Sequence, residues 1–213
     1  APQGAPRRAA LKSPPRPVSC TVTPARAISS GTERGLTALH GSSPNVGVVG
    51  YSLGGGIGWM ARMHGLAAES VLAVELVTAE GALVRADRTQ NTDLFWALRG
   101  GGGGLGVVVA MEIALYAVDE LVAGMMIWPW EQATDVLTRY VEWAEHAPNS
   151  VSASGRLLQI PPLPEIPEML RGRQIVVIDA AVLGTEEEAN AILAPLRELG
   201  PEIDTFGNVP AAA

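Results

Sequence analysis

The chain has 213 residues and 47% apolar content, enough for one sizeable core or two small ones. Its net charge of −7 argues against a nucleic-acid partner, and its single cysteine, Cys20, excludes an intrachain disulfide and a multi-cysteine metal site. High glycine (24) and proline (16) favour turns and strands over a helical bundle.

Residues 1–30 carry six prolines and five basic residues, with no acid and little apolar periodicity. That composition predicts a disordered tail. Residues 35–61 are uncharged, but eight glycines and Pro44 break the run, so a membrane-spanning helix is not expected. No signal-peptide pattern is visible, and the lone cysteine fits a reducing compartment, so the expected location is cytoplasmic.

From Val46 the β-branched run VGVV reads as a short strand leading into the glycine cluster 54–58, with a short helix over 57–64. Residues 70–79 read as a strand, Glu80-Gly81 as a tight turn, and 82–86 as the hairpin partner. NTDLFWALR, 91–99, reads as a helix with Thr92 or Asp93 as N-cap. A second glycine cluster, 100–104, precedes a strand over 107–115.

Beyond Val118 the pattern becomes strand 121–128, helix 132–146, strand 151–160, strand 174–183 and helix 185–199. On the first helix Ala133, Val136, Leu137, Tyr140, Val141 and Ala144 share a face. Thr185 and Glu188 have capping-box spacing. No final strand is evident. The fold class expected is α+β, with a tail at 1–30 and units at 31–118 and 119–213.

Three chemistries compete for the glycines. Gly50-Tyr51-Ser52-Leu53-Gly54 satisfies the nucleophile-elbow spacing, with Ser52 as the nucleophile of a serine esterase. That reading needs an acid and a histidine downstream, and neither His64 nor His146 stands in the expected context. Gly101, Gly103 and Gly106 satisfy G-x-G-x-x-G, but a helix precedes them and a strand follows, the reverse of a dinucleotide fingerprint. In the third reading Gly54, Gly55, Gly56 and Gly58 let a backbone approach a cofactor closely and offer consecutive N–H groups. Spacing alone leaves that cradle level with plain tight turns.

The longer spelling separates them. VGVVGYSLGGGIGWMARMHGLAAESVLAVELVTAEGALVRA followed by DLFWALRGGGGGLGVVVAMEIALY resembles FAD-linked oxidases of the vanillyl-alcohol oxidase and p-cresol methylhydroxylase type, the berberine-bridge-enzyme-like subgroup above all. The resemblance implies the second subdomain of a PCMH-type FAD-binding domain, followed by part of an α+β substrate domain. It implies FAD as cofactor, a small-molecule substrate, hydride transfer to flavin, and O2 as the acceptor. Carried over by position, Ser43, Asn45, Val46, Gly47, Gly50, Tyr51, Gly54, Gly55, Gly56 and Gly58 form the first cofactor loop, and Gly106 and Val107 the second. Arg99 and Trp96 are expected to brace the fold. Ser43 stands where bicovalent members carry cysteine, so that thioether is not expected. Gly104-Leu105 replaces a common Asn-Phe. The segment that would hold the first glycine loop of such proteins is not recognised, so the chain is expected to be truncated at both ends, and an inactive fragment is the alternative. No general base is identified; Tyr116, Tyr140 and His146 are titratable, and each reads as structural.

Overall fold

The computed structural model describes the backbone of residues 19–22, and residues 35–43 and 46–211 in full. It contains two antiparallel sheets. The first has strands β1 (Ser19–Val22), β2 (Val71–Val77), β3 (Leu83–Asp87) and β4 (Val107–Ala114), in the order β1-β4-β2-β3. Three helices accompany it: α1 (Val48–Leu53), α2 (Ala61–His64) and α3 (Thr92–Gly101). The second sheet has β5 (Glu120–Pro129), β6 (Val151–Gln159), β7 (Gln174–Val182), β8 (Ile203–Asp204) and β9 (Gly207–Pro210). Its order is β6-β7-β5-β8, with β9 also on β5. Helices α4 (Ala133–His146) and α5 (Glu186–Arg197) cover one of its faces.

The fold is α+β, as expected, because both sheets bury one face under amphipathic helices. In the first, Val48 and Leu53 of α1 and Phe95 and Leu98 of α3 pack on Val74, Leu76, Met111 and Ile113. In the second, Val136, Trp143, Ala189, Leu193 and Leu196 pack on Met126, Trp128, Val176, Ile178 and Val182. On α4 the predicted face needs one exchange. Val141 is exposed and Trp143 is buried, its indole N–H donating to the Ile192 carbonyl at 2.8 Å. The Thr185–Glu188 capping box forms as its spacing predicts.

Other local readings change. The 46–49 run is not a strand: Val48 begins a helix. Its positions 48, 52 and 53 are buried, so helical spacing serves the core better than β propensity serves a strand. Neither Thr92 nor Asp93 caps α3. Asn91 stands at the N-cap position, in the left-handed conformation at φ 49°; its side-chain amide makes no capping bond and donates to the Arg85 carbonyl at 2.7 Å. Two short strands, β8 and β9, follow α5 where none was read; both pair with β5 and extend its edge. Ser19–Val22, inside the expected tail, is a strand paired with Ala114–Met111; the rest of 1–30 lies outside the described residues.

On the first sheet Arg85 bridges three carboxylates: Glu112 at 2.7 Å, Asp87 at 3.0 Å and Glu75 at 3.5 Å. The backbone N–H and hydroxyl of Thr89 lead in holding the Asp87 carboxyl down to about 2, and Arg85 and the Gln90 N–H add to them. Arg85 likewise lowers Glu112. A folded-state value below the unfolded one stabilises the fold above the ordinary carboxylate range, and that contribution disappears as pH falls. The melting temperature is therefore expected to drop between roughly pH 4 and pH 2. Circular dichroism melts of Asp87→Asn should show a shallower drop, and an equally steep one would refute the assignment.

Candidate functional site

The first glycine cluster is a loop that leaves the C-terminal end of α1. Gly54 N–H donates to the Gly50 carbonyl at 3.1 Å, and Gly55 N–H to the Ser52 carbonyl at 3.2 Å. The carbonyls of Gly55 and Gly56 then accept the N–H groups of Ala68 and Ala67, both at 2.9 Å, from a 3-10 turn at Ala67–Ser70. The second cluster docks directly on the first: Gly102 N–H donates to the Leu53 carbonyl at 2.9 Å.

The candidate glycines divide into two kinds. A Cβ at Gly56 would lie 2.7 Å from the Ala67 methyl; at Gly58, 2.1 Å from the His40 carbonyl oxygen; at Gly106, 2.6 Å from the Val77 carbonyl oxygen. These three are required by the protein's own packing. A Cβ at Gly47, Gly50 or Gly55 would meet nothing within 4 Å, as would one at each glycine from 100 to 104. The space around them is open, but Gly55, Gly100 and Gly102 are held at φ 101°, 103° and 84°, a conformation that favours glycine whatever the space.

Tyr51 sits between the two kinds. Its ring fills the space beside Gly41, Gly56 and Gly58. Its hydroxyl is buried without a hydrogen-bond partner, and burial pushes the phenol above its ordinary value. A buried donor of this sort calls for an acceptor. Val46, Ile57 and Val107 expose apolar side chains around the loop, at 51%, 77% and 70%. Ser43 accepts the Val46 N–H at its carbonyl, at 3.4 Å, and Asn45 lies outside the described residues. Open backbone, an unsatisfied phenol and uncovered apolar side chains fit a planar cofactor that carries carbonyl acceptors.

The esterase reading fails on geometry. Ser52 is 1% exposed inside α1, not raised on an elbow. His64 lies against the Tyr116 ring, centroids 4.3 Å apart, and burial lowers its pKa. His146 ends α4, its Nδ1 2.8 Å from the Glu142 carbonyl. The dinucleotide reading fails as its context predicts, since α3 ends at Gly101 and β4 follows Gly106. Tyr116 shares a hydrogen bond with Ser70 at 2.7 Å, and Tyr140 packs beside Gly155.

The loop faces the second sheet. Trp59 packs in the cluster of Leu121, Ala181 and Ala211. Arg62 of α2 donates to the carbonyls of Ala147 and Val151, at 3.0 and 3.1 Å. A cavity of about 300 Å³ lies between, walled by Ile57, Gly58, Trp59 and Arg62 and floored by Ser152 and Ser154 of β6. These β6 residues carry no motif, and sequence reading did not select them.

Two glycine clusters joined on a helix-backed sheet, with a cavity of about 300 Å³ toward a second helix-backed sheet, make a cleft open to a bound molecule. Comparison with known proteins specifies the cofactor. Residues 24–87 match the family described as "FAD binding domain". The chain is 38% identical over 112 residues to an uncharacterized FAD-linked oxidoreductase, YvdP, of Bacillus subtilis, covering 52% of this chain and 25% of that protein. It is 30% identical over 184 residues to a chitooligosaccharide oxidase of Gibberella zeae, covering 84% of this chain and 33% of that protein. The solved structure of 6-hydroxy-D-nicotine oxidase from Arthrobacter nicotinovorans superposes with a TM-score of 0.78 at 26% identity, over 91% of this chain and 43% of that one. Over these stretches the chain is similar to FAD-linked oxidoreductases, it shares the fold of solved FAD-linked oxidases, and FAD is its cofactor. It spans about a quarter to a third of the length of these curated relatives.

Proposed function

We propose that the chain serves an FAD-dependent oxidoreductase that oxidises a small organic substrate, with O2 as the final electron acceptor. The supporting observation is the split among the glycines: Gly56, Gly58 and Gly106 are closed in by the protein's own atoms, while Gly47 and Gly50 face open space on the helix that carries Tyr51, whose hydroxyl is buried without a partner. Bound FAD would supply the hydride acceptor, and the protein's part is binding and orientation. In this reading Ser43 to Gly47, Gly50, Tyr51 and Gly54 to Gly56 hold the cofactor. Gly58, Gly106 and Val107 fix the chain beneath it. Trp59 and Arg62 set the distance to the second sheet, and the serines of β6 meet the substrate. We place the unit boundary at Val118, giving a cofactor unit at 31–118 and a substrate unit at 119–213. No described helix is long and apolar enough to cross a membrane. A cytoplasmic location belongs to the same proposal and rests on the single cysteine.

Added FAD is expected to lose fluorescence on binding the purified chain and to raise its melting temperature in proportion to log concentration. Unchanged fluorescence together with an unchanged melting temperature would overturn the reading.

A further inference from the structure

The loop before α1 and the end of β9 meet at one imidazole. His40 lies between Leu39, which is buried with Met60 and Ala67, and Gly41, which lies beside the Tyr51 ring. The His40 carbonyl oxygen closes in Gly58 of the cofactor loop. Its ring reaches a residue 171 positions along the chain: Nε2 stands 2.8 Å from the Ala211 carbonyl oxygen. Nδ1 stands 2.9 Å from the Gly41 carbonyl oxygen. Ala211 is buried with Trp59, Leu121 and Ala181, and its N–H donates to the Asp119 carbonyl at 2.8 Å.

Both neighbours of the ring are acceptors, and a carbonyl oxygen has no proton to give. A neutral imidazole carries one N–H and one lone pair. In that form one contact is a hydrogen bond, and the other sets two lone pairs against each other at under 3 Å. The imidazolium carries two N–H groups and donates to both carbonyls, as charge-assisted bonds. A ring that loses its proton must give up one of the two. Either choice undoes the grip, because the bond to Gly41 fixes the ring plane that aims Nε2 at Ala211.

We propose that His40 is a proton-operated clasp that fastens the end of β9 to the loop before α1. The second bond exists only in the charged form. Its contribution is therefore present on the acid side and disappears as pH rises through the range in which histidine changes charge, about pH 5 to 8. What loosens is the docking of Ala211; the Arg62 bonds to Ala147 and Val151 are made elsewhere and keep the two sheets together. Because the His40 carbonyl packs on Gly58, the same residue carries the change into the cofactor loop. The titratable and charged groups on the elements around the ring are Tyr51 of α1, Arg62 and His64 of α2, Tyr116 and Asp119 before β5, and Glu120 at its start. Of these side-chain types only histidine changes charge in that range. His64 lies on the Tyr116 ring, and burial favours its neutral form, which makes it the control.

Nitrogen NMR of the His40 ring and hydrogen exchange at the Ala211 amide, corrected for the intrinsic rate at each pH, test the clasp on the full chain between about pH 5.5 and 8. The ring is expected to lose its charge within that range. Ala211 protection should fall about tenfold along the same titration curve, the effect of losing one bond to a charged donor. His40→Gln donates but never charges, so its protection should stay level across the range. His64→Gln should leave the fall in place. If His40→Gln does not fold, the two curves of the unsubstituted chain decide. A ring that keeps one charge state throughout, Ala211 protection that does not follow its titration, or a fall that survives in His40→Gln would overturn the clasp. The measurement needs no FAD, so its outcome and that of the cofactor reading are separate.

Discussion

Gly58→Ala is expected to destabilise the chain even without cofactor, by about 1–3 kcal/mol or more, the usual range for forcing atoms into a filled space. The new methyl would lie 2.1 Å from the His40 carbonyl oxygen and 2.8 Å from the Tyr51 hydroxyl. The first obstacle is backbone, so a rotamer change cannot remove it. Gly50→Ala should do the opposite. Gly50 is exposed in α1 with open space around it, and alanine in a helix is favoured by up to about 1 kcal/mol. The substituted chain should melt higher without FAD and bind FAD at least about tenfold more weakly, a change of about 1.4 kcal/mol. Thermal melts and fluorescence titrations of both variants separate a glycine kept by the fold from one kept by the cofactor. If Gly50→Ala left FAD affinity unchanged, Gly50 would drop out of the site.

The second large effect concerns the two cores. Leu76 and Leu193 are both fully buried, one in each sheet's main cluster. Truncating either to alanine is expected to cost about 2–5 kcal/mol. If 31–118 and 119–213 are separate cooperative units, Leu76→Ala should lower the protection of amides in β2 and β4 and leave those of β7 near their original values. Leu193→Ala should do the converse. Native-state hydrogen exchange reads this directly. Equal loss of protection in both sheets from either substitution would remove the boundary at Val118.

Long periodic segments were legible from the residues. Strands β2 to β7 and helices α3 to α5 lie close to where alternation, helical spacing and turn residues put them, because there local preference and burial agree. The 46–49 run was misread because four β-branched and small residues say little about tertiary packing. Only the burial of Val48, Ser52 and Leu53 makes the segment a helix. The glycine clusters were legible as a site through their longer spelling, but their division of labour was not. Whether a Cβ would strike the His40 carbonyl depends on a loop eighteen residues upstream in the chain. Asp179 did leave a signal, as a lone acid in QIVVIDAAV. Its hydrogen-bond partners Ser154 and Arg156 become visible only when strand register sets β6 beside β7.

The two hydrogen bonds from Arg62 to the Ala147 and Val151 carbonyls have a mechanical consequence. Arg62 follows Gly58 of the cofactor loop by four residues; one acceptor, Val151, begins the strand that floors the cavity, and the other, Ala147, ends the helix before it. The guanidinium thus acts as a strut that sets the aperture between loop and floor. For the gap to widen enough to admit or release a bulky molecule, two bonds to a charged donor must break together, a larger barrier than neutral contacts would present. With Trp59 packed on Leu121, Ala181 and Ala211 beside it, the strut makes the spacing of loop and floor a fixed property of the fold.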